Sequence, residues 1–197
     1  MKLERDFYLR PGVEVAPELI GKQLVHCSLE GITKGIIVEV EAYIGPGDAA
    51  SHAYRSLYTD RTAIQYGDGG FAYIYSIYGI HLCVNVVVNK KDFPEVVLIR
   101  ALEPTYGLEL MRIRRKKEQV KDLCNGPGKL SQAMGIKKTH YGEDLCGNEL
   151  YIEATDYKGV SVSATKRINI DYAGKAADYL WRFIQTDSRF VSVPPRR

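Results

Sequence analysis

Two carboxylates and a phenol, Glu39, Glu41 and Tyr43, stand at every second position of the segment IIVEVEAYI, residues 36–44. Side chains alternate across a strand, so these three share one face, while Ile36, Val38, Val40, Ala42 and Ile44 make the other wholly apolar. Val and Ile suit a pleated, half-buried strand, and Gly35 and Gly45-Pro46 bound it. A carboxylate fixed beside an aromatic ring can serve as a general base next to a stacking platform. The same face can equally meet solvent and do no chemistry. The pattern alone does not rank Glu39 against Glu41.

Further groups of this kind follow along the chain. His52, in the loop after the strand, can ligate a metal, act as an acid or donate a hydrogen bond, but the chain has only 4 His and no H-x-x-x-H pair. Asn85 shares a strand face with His81 and Cys83 in HLCVNVVV, and Arg100 shares one with Val96, Leu98 and Leu102 in EVVLIRAL. A guanidinium does not titrate away, so a buried Arg100 needs a carboxylate, whether for a structural ion pair or for catalysis. The run RIRRKK, Arg112 to Lys117, is either a solvated helix face or a phosphate-contacting patch. NGPGKLS is no phosphate loop, because Leu123 and Leu130 occupy the positions where a glycine and a hydroxyl are needed.

Positioning such groups requires a framework, and the chain can build one. Its 197 residues, 45% hydrophobic and 26% charged, suffice for a single domain over residues 1–197 and exclude wholesale disorder. A net charge of +3 permits a polyanionic partner without requiring one. Tyr is abundant, 14 against 5 Phe and 1 Trp, which suits surfaces both apolar and wet. The four Cys are scattered without a C-x-x-C pair, so no zinc ribbon is expected and reduced thiols are. The charged amino end is not followed by an apolar run and no segment is long enough for a membrane helix, so a cytoplasmic protein is expected.

The patterning predicts a helix over Pro17–Leu24, strands over Gln23–Leu29 and Gly35–Ile44, and a long irregular loop from Gly45 to Gly70. Phe71–Tyr78 and His81–Val88 flank Gly79-Ile80 as a tight hairpin, with Ile77, Tyr78 and Ile80 gathered at its tip. Glu95–Leu102 reads as a strand ended by Glu103-Pro104. Gly107 to about Leu123 and Lys129–Met134 read as helices, and Leu150–Glu153 and Val160–Ile170 as strands. Tyr172–Ile184 is ambiguous. The whole predicts an α+β domain dominated by antiparallel hairpins.

Five segments in order, VEVEAYIGPGDAASH (38–52), AYIYSIYGIHLCVN (72–85), VLIRALEP (97–104), CNGPGKLSQAMGI (124–136) and, more loosely, the carboxyl-terminal end, make the chain resemble the alkyladenine (3-methyladenine) DNA glycosylase family. The resemblance implies one mixed domain with a curved antiparallel sheet, no helix-hairpin-helix, and a protruding hairpin that inserts into DNA. It implies a monofunctional, monomeric enzyme that flips a damaged purine from duplex DNA and hydrolyses its N-glycosidic bond with water, using no metal or cofactor. By position, Glu41 matches the general base and Arg100 the arginine that helps hold the water. Tyr43 and His52 match residues that contact the flipped base, Tyr75 its second aromatic wall, and Asn85 a pocket residue that discriminates against guanine's exocyclic amine. Tyr78 matches the intercalating wedge, with Ile77, Ile80 and His81 as neighbouring DNA contacts. His81 stands where vertebrate members have tyrosine, and their basic amino-terminal extension is missing, as in a bacterial-type protein working on nucleoid DNA.

The implied chemistry suits the residues. A stacked base must be extruded at a cost of a few kcal/mol, which an inserted ring offsets. Departure of a purine builds positive charge on the sugar, which one ionised carboxylate can stabilise while activating water. Two rivals remain on the residues: a non-catalytic duplex-DNA-binding protein that needs no Glu41, and a carbohydrate O-glycosidase using Glu39 and Glu41 as its pair.

Overall fold

The computed structural model describes residues 1–156 and 160–194. Among them β1 (Gln23–Ser28), β2 (Gly31–Ile44), β3 (Ala72–Ile77), β4 (His81–Val88), β5 (Glu95–Tyr106), β6 (Leu150–Glu153), β7 (Val162–Thr165) and β8 (Arg182–Gln185) form one curled antiparallel sheet. The strand order is β3-β4-β5-β2-β1-β6. β2 is long enough to hold two partners on one edge: β1 along its first half, and β8, with β7 outside it, along Glu39–Glu41.

Among the described residues four α-helices complete the fold: α1 (Arg5–Tyr8), α2 (Gly12–Leu19), α3 (Leu108–Arg115) and α4 (Pro127–Met134). α2, α3 and α4 supply Val15, Leu19, Met111, Leu130 and Met134 to the main core, which they share with Ile37, Val40, Val84, Val86, Val97 and Ile99 of the sheet. Helices therefore cover one sheet face, leaving the other for polar equipment. No helix among the described residues is long and apolar enough to cross a membrane.

Several element boundaries differ from the sequence reading. The first long helix is Gly12–Leu19, with Pro17 inside it, rather than Pro17–Leu24; Gly21, at φ +85°, stops it and turns the chain into β1. β5 runs on through Pro104 to Tyr106, since a proline is tolerated where the ladder is irregular. The basic helix ends at Arg115, because Lys116 adopts a left-handed φ of 52°, well short of Leu123. The ambiguous stretch holds a short run of 3-10 turns, Asp171–Asp178, and then β8.

The alternation on β2 also breaks. Ile37 pairs with Leu102, Glu39 with Ala101 and Val40 with Ile99, so Val38 and Arg100 lack direct partners in this ladder. Such a bulge re-aims side chains. Ile37 joins Val40 and Ala42 in the main core, whereas Ile36 and Val38 pack with Ala101 and Phe190. The expected wholly apolar face is thus split between two clusters.

Asp48 and Arg167 tie the loop after β2 to the carboxyl-terminal segment. Arg167 donates to Asp48 Oδ2 at 2.5 Å and Oδ1 at 2.8 Å, and to the Ala42 and Ala176 carbonyls, all fully buried. Removing one partner of a buried pair leaves an uncompensated charge, at a cost of about 3–5 kcal/mol. Arg167→Met is expected to lower the unfolding free energy by that amount, read from urea denaturation followed by circular dichroism.

Candidate active site

The face opposite the helices is assembled by register. Tyr73 stands opposite Asn85, Tyr75 opposite Cys83, Asn85 opposite Leu98 and Leu98 opposite Glu41. Partners across a ladder project from the same face, so Tyr73, Tyr75, Asn85, Glu41 and Tyr43 are gathered together, with Arg100 two residues from Leu98 on the same side. This face does not meet solvent. Both Glu39 and Glu41 are 0% exposed, covered by the carboxyl-terminal segment.

The two carboxylates have different partners. Glu39 accepts from Arg100 Nε at 2.9 Å, Arg182 Nε at 2.8 Å, the Ser192 amide at 2.5 Å and the Ser192 hydroxyl at 2.8 Å. Glu41 accepts from Arg100 Nη1 at 3.1 Å and the Tyr43 hydroxyl at 2.8 Å on one oxygen, and from the Ile168 amide at 2.7 Å on the other. Arg100 bridges both. Burial opposes its charge, yet Glu41 and Glu39 together raise its pKa further above the usual guanidinium value. Arg182, 2% exposed, completes a cluster of two carboxylates and two guanidiniums.

Tyr43 links this cluster to a cavity. Its hydroxyl reaches Glu41 while its ring lines a pocket with Ala50, His52, Tyr73, Tyr75 and Asn85. Burial, then the neighbouring Glu41, pushes the Tyr43 phenol well above its ordinary pKa, so it donates as a neutral group. Arg167 lies over the Tyr43 ring at 4.7 Å. Asn85 Nδ2 donates to the Tyr73 carbonyl at 3.0 Å, which fixes the carboxamide. Burial also raises the Tyr75 phenol and takes the Cys83 thiol to about 11, so both stay protonated at neutral pH.

His52 is held from two sides. Arg61 Nη2 approaches both ring nitrogens, Nε2 at 2.7 Å and Nδ1 at 3.1 Å, and Nδ1 lies 2.8 Å from the Tyr73 hydroxyl. The ring meets Tyr75 edge-on at 4.7 Å. Burial first, and Arg61 second, lower the His52 pKa to about 4.

The hairpin forms, but its turn centres on Tyr78-Gly79 instead of Gly79-Ile80. Both residues take positive φ, 53° and 73°, and the Ile80 amide donates to Ile77 O at 3.3 Å. Successive left-handed residues match strand twist, and Gly79 supplies one of them without strain. Tyr78 is 90% and Ile80 76% exposed, an apolar tip standing clear of the core. His81 is exposed directly after the turn, paired with Ile77, and leans on α4, where a Cβ at Gly128 would come within 3.0 Å of it.

The basic run is largely absorbed by the fold. Arg112 pairs with Glu109, Arg114 with Glu30 at 2.6 Å, and Arg115 donates to Gln132 at 2.6 Å and to the Leu123 carbonyl. One cluster among the described residues has metal-ligand types, His26, His140 and Glu149. The Lys137 amide donates to His140 Nδ1 at 2.8 Å, which leaves the proton on Nε2, pointed at Glu149 Oε1 at 3.1 Å. That ring offers its carboxylate neighbour a donor and offers a cation no lone pair.

Arg182, Arg167, Asp48, Arg61, Tyr73 and Gln65 belong to the site and escaped the sequence reading. Arg167 lies in the stretch read as a strand and Arg182 in the ambiguous one, and nothing local marks either for burial. Tyr73 carried a signal, its alternation with Tyr75 on one strand.

Comparison with known proteins gives the class and then the family. The family model described as "Methylpurine-DNA glycosylase (MPG)" matches residues 6–189. Relatives provisionally named 3-methyladenine DNA glycosylase are 48% identical in Alkaliphilus oremlandii, over 98% of this chain and 99% of that protein, and 46% identical in Desulfitobacterium hafniense, over 98% of each. One from Clostridium acetobutylicum is 48% identical, again over 98% of each. The fold therefore carries a DNA N-glycosylase, an enzyme of DNA repair. The chain belongs to the methylpurine-DNA glycosylase family.

His52 also yields a pH test. A histidine whose folded pKa lies below its unfolded value of about 6.5 lets the unfolded state bind the proton first, so stability is full above that value and declines as pH falls toward about 4. His52→Gln is expected to flatten the fall in melting temperature between pH 6.5 and 4, measured by differential scanning calorimetry.

Proposed function

We propose that the chain acts as a single, monomeric, cytoplasmic domain that excises alkylated and deaminated purines from duplex DNA. The class includes 3-methyladenine, 7-methylguanine, hypoxanthine and ethenoadenine; the reaction is hydrolytic, after flipping of the base. One observation carries this reading: a buried Glu41 held by Arg100, joined through the Tyr43 hydroxyl to an aromatic-walled cavity.

In this reading Tyr78 enters the stack and fills the gap, with Ile77, Ile80 and His81 against the minor groove. The extruded base enters between Tyr43 and Tyr75, with His52 and Asn85 at its edge. Tyr43 stands between Glu41 and the cavity, so its hydroxyl gives way for the attacking water to reach the carboxylate. Glu41 takes the water's proton and opposes the charge that develops on the sugar, while Arg100 fixes the carboxylate's orientation. A cationic 3-methyladenine leaves with little help; a neutral base needs hydrogen bonds from the pocket as charge builds on it.

The partners of Glu39 argue against the carbohydrate rival. Two guanidiniums and Ser192 take up its carboxylate, so it is not available as the second member of a catalytic pair. A purely DNA-binding protein would have no use for a buried carboxylate linked to an aromatic-walled pocket.

Glu41→Gln should abolish single-turnover release of free base from lesion-containing duplex while lesion binding persists. Glu39→Gln should instead lower the melting temperature. Full excision by the Glu41 variant would remove Glu41 from the mechanism. Tyr78→Ser should keep its melting temperature and salt dependence yet lose about 1–3 kcal/mol of stacking, roughly five- to 150-fold in flipping equilibrium reported by 2-aminopurine fluorescence. Unchanged flipping would end the wedge assignment.

A further inference from the structure

Gln65 lines the cavity with a carboxamide whose two polar atoms make no hydrogen bond of normal geometry among the described residues. The residue is 0% exposed. Buried carboxamides left this way are rare, since each unsatisfied group forfeits its hydration. Its nearest polar neighbour is the Tyr73 hydroxyl, which accepts from Arg61 Nε at 3.1 Å and lies 2.8 Å from His52 Nδ1; the Gln65 carboxamide acts on that phenol electrostatically without reaching normal hydrogen-bond geometry, so its bonding capacity is left open.

The backbone that carries Gln65 is, by contrast, firmly held. It lies in a short 3-10 helix, Ala63–Tyr66, with its amide bonded to Thr62 O at 2.9 Å. Thr62 Oγ1 donates to Leu57 O at 3.0 Å, and the Tyr141 hydroxyl donates to Asp60 O at 3.0 Å while accepting from the Ile64 amide. A clamped backbone presenting an unpaired donor and acceptor to a cavity is a preorganised reader of a ligand with the complementary pair.

We infer that Gln65 is a specificity-determining residue, its carboxamide hydrogen-bonding the polar edge of the flipped base and favouring purines that present an N–H donor beside an acceptor. This rests on the proposed function. Hypoxanthine offers N1–H next to O6, and 3-methyladenine offers its 6-amino group next to N7. In 1,N6-ethenoadenine the bridge ties up both N1 and N6, leaving acceptors alone, so Gln65 Oε1 would face a lone pair. A site built to satisfy a donor rejects the analogue that lacks it, because the buried acceptor is then left unpaired.

The test compares Gln65→Met, close in shape but without the amide, with the wild type on duplexes holding hypoxanthine or ethenoadenine. Single-turnover release of hypoxanthine should fall about three- to tenfold, as expected for loss of one neutral hydrogen bond. Release of ethenoadenine should hold or rise, and the melting temperature should hold or rise, since an unsatisfied buried amide has been removed. Gln65→Leu should behave alike. Where release of either lesion is too slow to time, the affinity of the two duplexes by fluorescence anisotropy gives the same ratio. An unchanged hypoxanthine-to-ethenoadenine ratio overturns the inference, and so does an equal loss on both with a lowered melting temperature, which marks a structural residue. If the wild type releases neither base, and no 3-methyladenine from alkylated DNA, the proposed function fails and the inference falls with it.

Discussion

Arg100 between Glu39 and Glu41 is the interaction on which the rest of this structure depends. Its guanidinium is always charged, and two carboxylates beside it are wholly buried. Taking such charges from water costs several kcal/mol per ion, so the arrangement survives only if every remaining oxygen finds a donor. The sheet alone does not provide enough. The carboxyl-terminal segment supplies the Ile168 amide, Arg182 and Ser192, and its packing over β2 seals the cluster. The polar face of β2 thus determines where the end of the chain must go.

Two glutamates of identical spacing acquire different work from this closure. Glu39 points into the covering segment and accepts four donors, two of them guanidinium nitrogens. Glu41 lies on the cavity side, where a tyrosine hydroxyl is one of its donors. An arginine cannot be displaced from a buried carboxylate without leaving a bare charge, whereas a neutral phenol can yield to water. In the proposed reaction the distinction between scaffold and reactive group is one of partner type.

The cavity shows a complementary division. His52, Tyr73 and Arg61 satisfy one another and keep the histidine neutral, which makes that wall rigid and uncharged toward a base. The hairpin beyond it spends stability in the opposite manner, exposing a tyrosine in a left-handed conformation and an isoleucine beside it. Large apolar groups left in water at a strained turn mark a surface that is completed by something else.

The sequence by itself determined the strands that carry the site, because alternation over residues 36–44, 72–77, 81–88 and 95–102 is a local property of side-chain type. The family and the α+β class were legible from ordered motifs on those strands, and the structure brings Glu41, Tyr43, Tyr75, Asn85 and Arg100 of those motifs to one sheet face. Tertiary structure decided what alternation cannot express. The bulge at Val38 and Arg100 moved Ile37 into the main core and Ile36 out of it, since ladder register depends on the partner strand. Only the closed fold gives Glu39 and Glu41 different surroundings, since beyond Arg100 and Tyr43 their donors come from residues 127 or more positions away. Arg167, Arg182 and Gln65 were invisible for the same reason: burial of a polar group is fixed by what packs over it, and no local pattern records that.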